Sequence, residues 1–418
     1  MKYVLFFFII LFVSGADRFL FRVGIVPVSP AYLLVPLSFV MFFIKFDIRK
    51  YFIYLKTHTA KFLFLTFICT LIFSLNDKVS FEIMLNEIVA FSTTVLLYSF
   101  CLIFFTECST KEIRFFLFIG FIVICASIYY DMFIGLPVTD VDLVDQARKG
   151  GFAENPNTAA SAVKFLGLGL LLLYASEKKM RMVVLTIMLS SVFITFSRSG
   201  LLSVILIVIF LSLNEWKIFL NIKFSRLLLT SLKMILLFGF FYMLILVFAD
   251  IIRQEVPAFR EGAAGERLDL LTGQSDEIIT SDDRTSDGRS TLVIRYLNKF
   301  ADNPLGSGTA YCADKNISSK NTHNYFLRVS VEYGIFGLII FIIFLYKSIK
   351  LAREKEHFYY LVFIILIIFE SVISHYLFVE KPIVVVLALL DYSLYYRHTQ
   401  EDSEQNESVL VSTEPDLV

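Results

Sequence analysis

EIVAFSTTVLLYSFCLIFFT, residues 87–106, is the stretch that decides the fold. Beyond Glu87 it runs to Thr106 without a charge, and its twenty residues, coiled as a helix rising about 1.5 Å per residue, span the roughly 30 Å hydrocarbon thickness of a bilayer. A helix on the surface of a soluble domain carries a charged face, and this one has none.

Comparable apolar runs recur on both sides, at about 3–16, 30–45, 60–76, 114–134, 157–175, 181–197, 199–214, 227–249, 326–346, 358–378 and 382–396. The 418 residues are 57% hydrophobic and 18% charged, with mean hydropathy +0.72, which is more apolar surface than one soluble core buries. The expected architecture is all-α: a polytopic transmembrane bundle of about 12 spans. Residues 1–249 hold the first nine spans, 250–325 form one large polar loop with short helices on the membrane face, 326–396 hold the last three, and 397–418 form an acidic tail.

Lys and Arg set the orientation, because short cytoplasmic loops retain them. They cluster in alternate connections: Lys45, Arg49, Lys50, Lys56 and Lys61; Lys111 and Arg114; Lys178, Lys179 and Arg181; Lys217, Lys223 and Arg226; Lys347, Lys350, Arg353 and Lys355. One orientation satisfies every short loop, with both termini cytoplasmic and the large loop on the far side. The formal net charge is zero, so no global field points to nucleic acid. Of the five cysteines only Cys312 lies in the polar loop, which indicates neither a disulfide framework nor a metal cluster.

Three places on the far side hold residues suited to chemistry. Arg198 stands in Phe196-Ser197-Arg198-Ser199-Gly200, between two apolar runs with no acid beside it. It reads either as a snorkelling loop arginine or as a fork for a lipid phosphate, since arginine near hydrocarbon costs about 2.5 to 3.5 kcal/mol without a partner. The second place is Arg148-Lys149-Gly150-Gly151 leading to Glu154-Asn155-Pro156-Asn157. Asn157 is the expected N-cap of a helix starting at Thr158, which accounts for the turn residues but not for the paired cations. The third is the end of the large loop: Ser286-Asp287-Gly288-Arg289, Asn303-Pro304-Leu305-Gly306-Ser307-Gly308, then Thr322-His323-Asn324-Tyr325 and Glu332-Tyr333-Gly334-Ile335-Phe336-Gly337. Of five histidines only His323 falls in a polar segment of that side, directly before a membrane helix, where it reads as loop decoration or as a base working near neutral pH. Asp140, Asp142, Asp282 and Asp283 read as solvated loop acids. Lys164 and Glu370 are charges inside spans that form no evident set, and no internal repeat suggests inverted transporter halves.

Taken in order, the Asn-Pro-Asn turn, the Ser-Arg-x-Gly junction, Gly-Arg in a long penultimate loop, Asn-Pro-x-Gly-x-Gly, and His323-Asn324 spaced before Gly334 and Gly337 resemble the O-antigen ligase and polymerase superfamily. The resemblance implies a glycosyltransferase of the bacterial inner membrane. Such an enzyme moves a glycan from undecaprenyl diphosphate, on the periplasmic face, to a hydroxyl of lipid A core (ligase) or of a lipid-linked repeat unit (polymerase), with inverting chemistry and no metal or other cofactor. It implies His323 as catalytic base and Arg198 and Arg289 on the diphosphate, with Arg148, Lys149, Arg260, Arg267 and Asn324 as additional candidates. The histidine spacing favours the ligase. A lipid-linked glycan flippase is the alternative from another class, and its mark would be charges buried at mid-membrane in several helices.

Overall fold

The computed structural model describes residues 2–43, 56–76, 79–136, 149–153, 155–213, 289–314, 316–317 and 321–396, with isolated positions between 239 and 272. Among the described residues every regular element is helical. In chain order they are α1 (Lys2–Ser14), α2 (Ala16–Arg22), α3 (Pro30–Phe43), α4 (His58–Phe73), α5 (Phe81–Thr106), α6 (Thr110–Phe133), a 3-10 turn (Gly151–Ala153), α7 (Pro156–Leu173), α8 (Lys178–Ile194), α9 (Arg198–Leu213), α10 (Arg289–Asp302), α11 (Tyr325–Glu354), α12 (Phe358–Ile373) and α13 (Lys381–Tyr395).

Four of these, α5, α6, α7 and α11, are long and apolar enough to cross a membrane, or five if the bent pair α1 and α2 counts as one span. The helices α4, α9 and α12 are apolar but shorter. At 16 residues each they cover about 24 Å. The expected span at 227–249 lies outside the described residues, save isolated positions. The first expected span breaks early. Gly15 takes φ 74, a left-handed value that glycine adopts without steric cost, and the chain turns by 72° into α2. Charged Asp17 and Arg18 follow, and α2 leaves Phe21 exposed beside Ile25 and Val28.

The helices α7 and α13 form the centre of the bundle. Nearly every residue of both is buried, as a helix without a polar face requires. Around them α5 packs on α13, α6 and α8 on α7, α1 on α6, α4 on α5 and α11, and α9 and α12 on α7 and on each other. Contacts fix the two ends of the bundle. One end holds Lys2 with Glu112 at 2.7 Å and Arg114 with Glu177 at 2.7 Å. The other gathers the starts of α7, α9, α11 and α13.

Two expectations about pairing and capping are corrected. The helix α7 starts at Pro156, and its N-cap is Asn155, whose side chain accepts from the amides of Asn157 (2.8 Å) and Thr158 (3.4 Å). Proline at the first helical position has its φ preset and no amide to leave unpaired, so the helix begins before Asn157. Lys164 and Glu370 do form a set: they pair between α7 and α12 in the bundle interior, with Ser203 of α9 accepting from Lys164 (3.2 Å) and donating to Glu370 (3.3 Å). A buried charge needs its counter-charge, and residues two hundred positions apart in sequence supply it.

Candidate functional site

The Ser197 junction and the Asn155 turn meet. Ser197 is fully buried; its hydroxyl donates to Asn157 Oδ1 (2.9 Å) and accepts from the Gly200 amide (3.2 Å), so it caps α9. Gly200 lets α9 approach α7, because a Cβ there would stand 2.6 Å from that of Ala160. Arg198, the next residue, is therefore placed at the lip of the bundle with its side chain exposed.

His323 sits at the apex of a turn immediately before α11. Its φ is 47, a left-handed conformation costing about 1 to 3 kcal/mol in a bulky residue and concentrated at functional sites. The turn is pinned from both sides. The Thr322 hydroxyl donates to the Asn324 carbonyl (3.0 Å) and accepts its amide (3.4 Å). Asn324 caps α11 by accepting the Leu327 amide at 3.0 Å, and its side-chain amide reaches the Val372 carbonyl of α12 at 3.3 Å. His323 is exposed, so the strain presents its imidazole outward.

A second histidine joins it. The sequence reading puts His375 inside a span, but α12 ends at Ile373 and Ser374 is extended, which brings the His375 ring edge-on to that of His323 at 5.3 Å between centroids. Burial, reinforced by Arg328 and His323, lowers the His375 imidazole to about 3, so it stays neutral.

Arg328 supports this corner from below. Within α11 it donates to Glu332 (3.1 Å), pairs with Glu87 of α5, donates to the His375 carbonyl (3.1 Å) and lies over the Tyr376 ring at 4.7 Å. Glu332 also accepts the Cys312 amide (3.2 Å), tying in the loop. The loop itself enters a break in α11. Gly334 has φ 64 and ψ −157, the Gly308 amide donates to the Glu332 carbonyl (3.1 Å) and the Ile335 amide to the Pro304 carbonyl (2.9 Å). A Cβ on Gly334 would stand 2.4 Å from the Leu305 carbonyl carbon. The Asn-Pro-x-Gly-x-Gly segment and Gly334 are thus the two halves of one joint, which holds α11 beneath His323.

The depth of Arg198 relative to the histidines follows from the buried contact below them. Ser203 and Glu370 touch; Arg198 lies about a turn and a half outward of Ser203 along α9, and His375 a similar distance outward of Glu370. With α9 packed on α12, the start of α9, which carries Arg198, and the end of α12, which precedes His375, lie at the same end of the bundle.

The other candidates divide. Lys149 is committed to Asp131 at 3.5 Å, which also accepts the Gly150 and Gly151 amides, each at 3.1 Å. Its segment docks on α6, and Phe152 packs on Phe19 of α2 at 4.9 Å. Arg289 begins α10, which packs on α11 through Leu292 and Tyr296 against Leu327 and Val331. Arg148, Arg260, Arg267, the loop acids at 140, 142, 282 and 283, and the Arg289 side chain lie outside the described residues. His375 and Arg328 were missed in the sequence; the Ser374-His375-Tyr376 interruption after α12 is the one local signal for the first, and Arg328 has only its i,i+4 spacing to Glu332.

Residues 182–342 match the family model described as O-antigen ligase. The matched segment contains Arg198, Arg289, His323, Asn324, Arg328, Glu332, Gly334 and Gly337, and leaves out Lys149, Lys164, Glu370 and His375. No curated protein matches the chain.

Proposed function

From the match of residues 182–342 to the O-antigen ligase family model, we propose that this membrane protein is a glycosyltransferase acting at the outer face of a bacterial inner membrane, with both termini cytoplasmic. It transfers a glycan from undecaprenyl diphosphate to an acceptor hydroxyl, and the preferred acceptor is lipid A core. The acceptor oxygen attacks the anomeric carbon as the bond from that carbon to the diphosphate oxygen breaks, with inversion. His323 Nδ1 or Nε2 takes the hydroxyl proton. Arg198 and Arg289 bind the diphosphate and stabilise the charge it gains on leaving. A diphosphate is a good leaving group, so this scheme uses no metal and no general acid. The observation that supports this reading is the strained, exposed His323 at the end of the bundle where α9 begins with an exposed Arg198.

The polymerase reading uses the same donor chemistry and differs in the acceptor alone. The flippase reading asks for several charges buried in the bundle. Lys164 with Glu370, and Arg328 with Glu87 and Glu332, meet part of that demand, but these charges pair with one another, which favours fixed struts over an ion path.

The test is a gel profile of lipid-linked and surface glycan from the source cell with this gene deleted, then restored as wild type or His323→Ala. Polymer retained on undecaprenyl diphosphate and absent from core supports ligation, and core bearing a single repeat supports polymerisation. Full restoration by His323→Ala would remove the catalytic assignment.

A further inference from the structure

A buried acid that the transfer scheme does not use lies at the end of the bundle opposite His323. Asp391, one turn before the end of α13, is 1% exposed. Among the described residues the other deeply buried charges have counter-charges, Lys164 in Glu370 and Arg328 in Glu87 and Glu332. Asp391 faces hydroxyls alone. The Tyr98 hydroxyl of α5 donates to Asp391 Oδ2 at 2.6 Å, and the Thr57 hydroxyl, 2.8 Å behind, donates to Tyr98 in turn. A bond of that length is typical of an ionised carboxylate, for which O–H···O⁻ contacts run to about 2.5–2.7 Å.

The second carboxylate oxygen is left over. Thr59, near the start of α4, and Tyr360, in the first turn of α12, face the carboxylate, and Ser348 of α11 stands behind Tyr360; all three are fully buried. Asp391 Oδ1, Thr59 Oγ1, the Tyr360 hydroxyl and Ser348 Oγ nevertheless meet no partner in hydrogen-bond geometry. Hydroxyls or a water molecule can solvate a carboxylate but do not neutralise it, and a buried ionised group needs a counter-charge. A proton or a cation supplies one. The short bond from Tyr98 favours the ionised acid and hence the cation. The oxygens gathered there are of the kind that hard cations take, with no nitrogen or sulfur among them, and one carboxylate balances one positive charge.

We propose that Asp391 Oδ1, Thr59 Oγ1 and the Tyr360 hydroxyl bind a hard monovalent cation of the sodium type, which ties the starts of α4 and α12 to the end of α13. Each ligand lies about a turn or less from the end of its helix, so the ion enters from that end of the bundle. The proposal stands without the transferase reading.

The experiment is binding of radiolabelled sodium to the full chain in detergent, with unlabelled sodium or choline as competitor, beside thermal melting in the same salts. Wild type is expected to bind the label saturably, to release it to sodium and to keep it in choline. Sodium at a hundredfold excess over its dissociation constant should raise Tm by about 3 °C over equimolar choline. Asp391→Asn is expected to lower sodium affinity about tenfold or more. Tyr360→Phe removes a hydroxyl with no hydrogen-bond partner, so it should lower sodium affinity yet melt in choline no lower than wild type. Should Asp391→Asn fail to fold, Tyr360→Phe decides. His323→Ala is expected to leave sodium binding unchanged, so failure of the transfer reading would not touch this one. Wild type without saturable sodium binding, label displaced as well by choline as by sodium, or wild-type affinity in the folded variants would each overturn the proposal.

Discussion

Removing Glu370 tests how the bundle holds its rim. Lys164 is 1% exposed, its ammonium faces Glu370, and Ser203 is its other hydrogen-bond partner. Glu370→Ala leaves a buried ammonium with a hydroxyl alone, a change that costs about 3–5 kcal/mol when one member of a buried pair is deleted. With an unfolding entropy near 2 cal/mol/K per residue over 418 residues, each kcal/mol shifts Tm by about 1 °C, so the variant should melt about 3–5 °C lower. The double variant Lys164→Met with Glu370→Leu removes both charges and keeps the volume, and such replacements are often neutral or stabilising; it should melt at or above the wild type. The assay is thermal melting of the purified protein in one detergent, run beside glycan transfer in cells. Transfer should fall in the single variant and return largely in the double one, because the Ser203–Glu370 contact sets α9 against α12 and so Arg198 against the histidines. A single variant as stable as the wild type, or a double variant less stable than the single, would refute the reasoning.

Gly334→Ala should abolish accumulation of folded protein, since its Cβ would meet the Leu305 carbonyl carbon at 2.4 Å at a φ of 64; Gly169→Ala, whose Cβ would meet side-chain methyls of Val386 and Leu389 at 3.3–3.4 Å, should accumulate far better, as detergent gel filtration would report. Asn324→Ala should cost about 1 kcal/mol through the lost cap and lower transfer by loosening His323, whereas Asn324→Ser, which keeps a capping oxygen, should lose less of both. His375 should add no ionisation to the pH profile of transfer between about pH 5 and 8, because burial keeps it neutral above about 3; an ionisation in that range that disappears in His375→Phe would contradict the neutral assignment.

Apolar runs made the helices legible because hydropathy is a local property: α4 through α9 and α11 through α13 each overlap an expected apolar run, with ends displaced by a few residues. The bend after α1 was not, since Lys2 to Val13 reads as one run and the signal, Gly15 followed by charges at Asp17 and Arg18, is short. The pairings were hidden more deeply. Nothing near Lys164 specifies Glu370, and nothing near Glu87 specifies Arg328; three-dimensional packing alone chooses such partners.

The motif residues themselves split into two kinds once their contacts are known. Asn155, Ser197, Gly200, Gly306, Gly308 and Gly334 are consumed by caps, close approaches and the joint in α11, so their spacing encodes geometry. Arg198 and His323 are left exposed on the rim by that geometry. His323 keeps its left-handed φ while its ring meets that of His375 edge-on. The proposed transferase function gives both exposed side chains a role, on a diphosphate that a lipid would carry to the membrane surface.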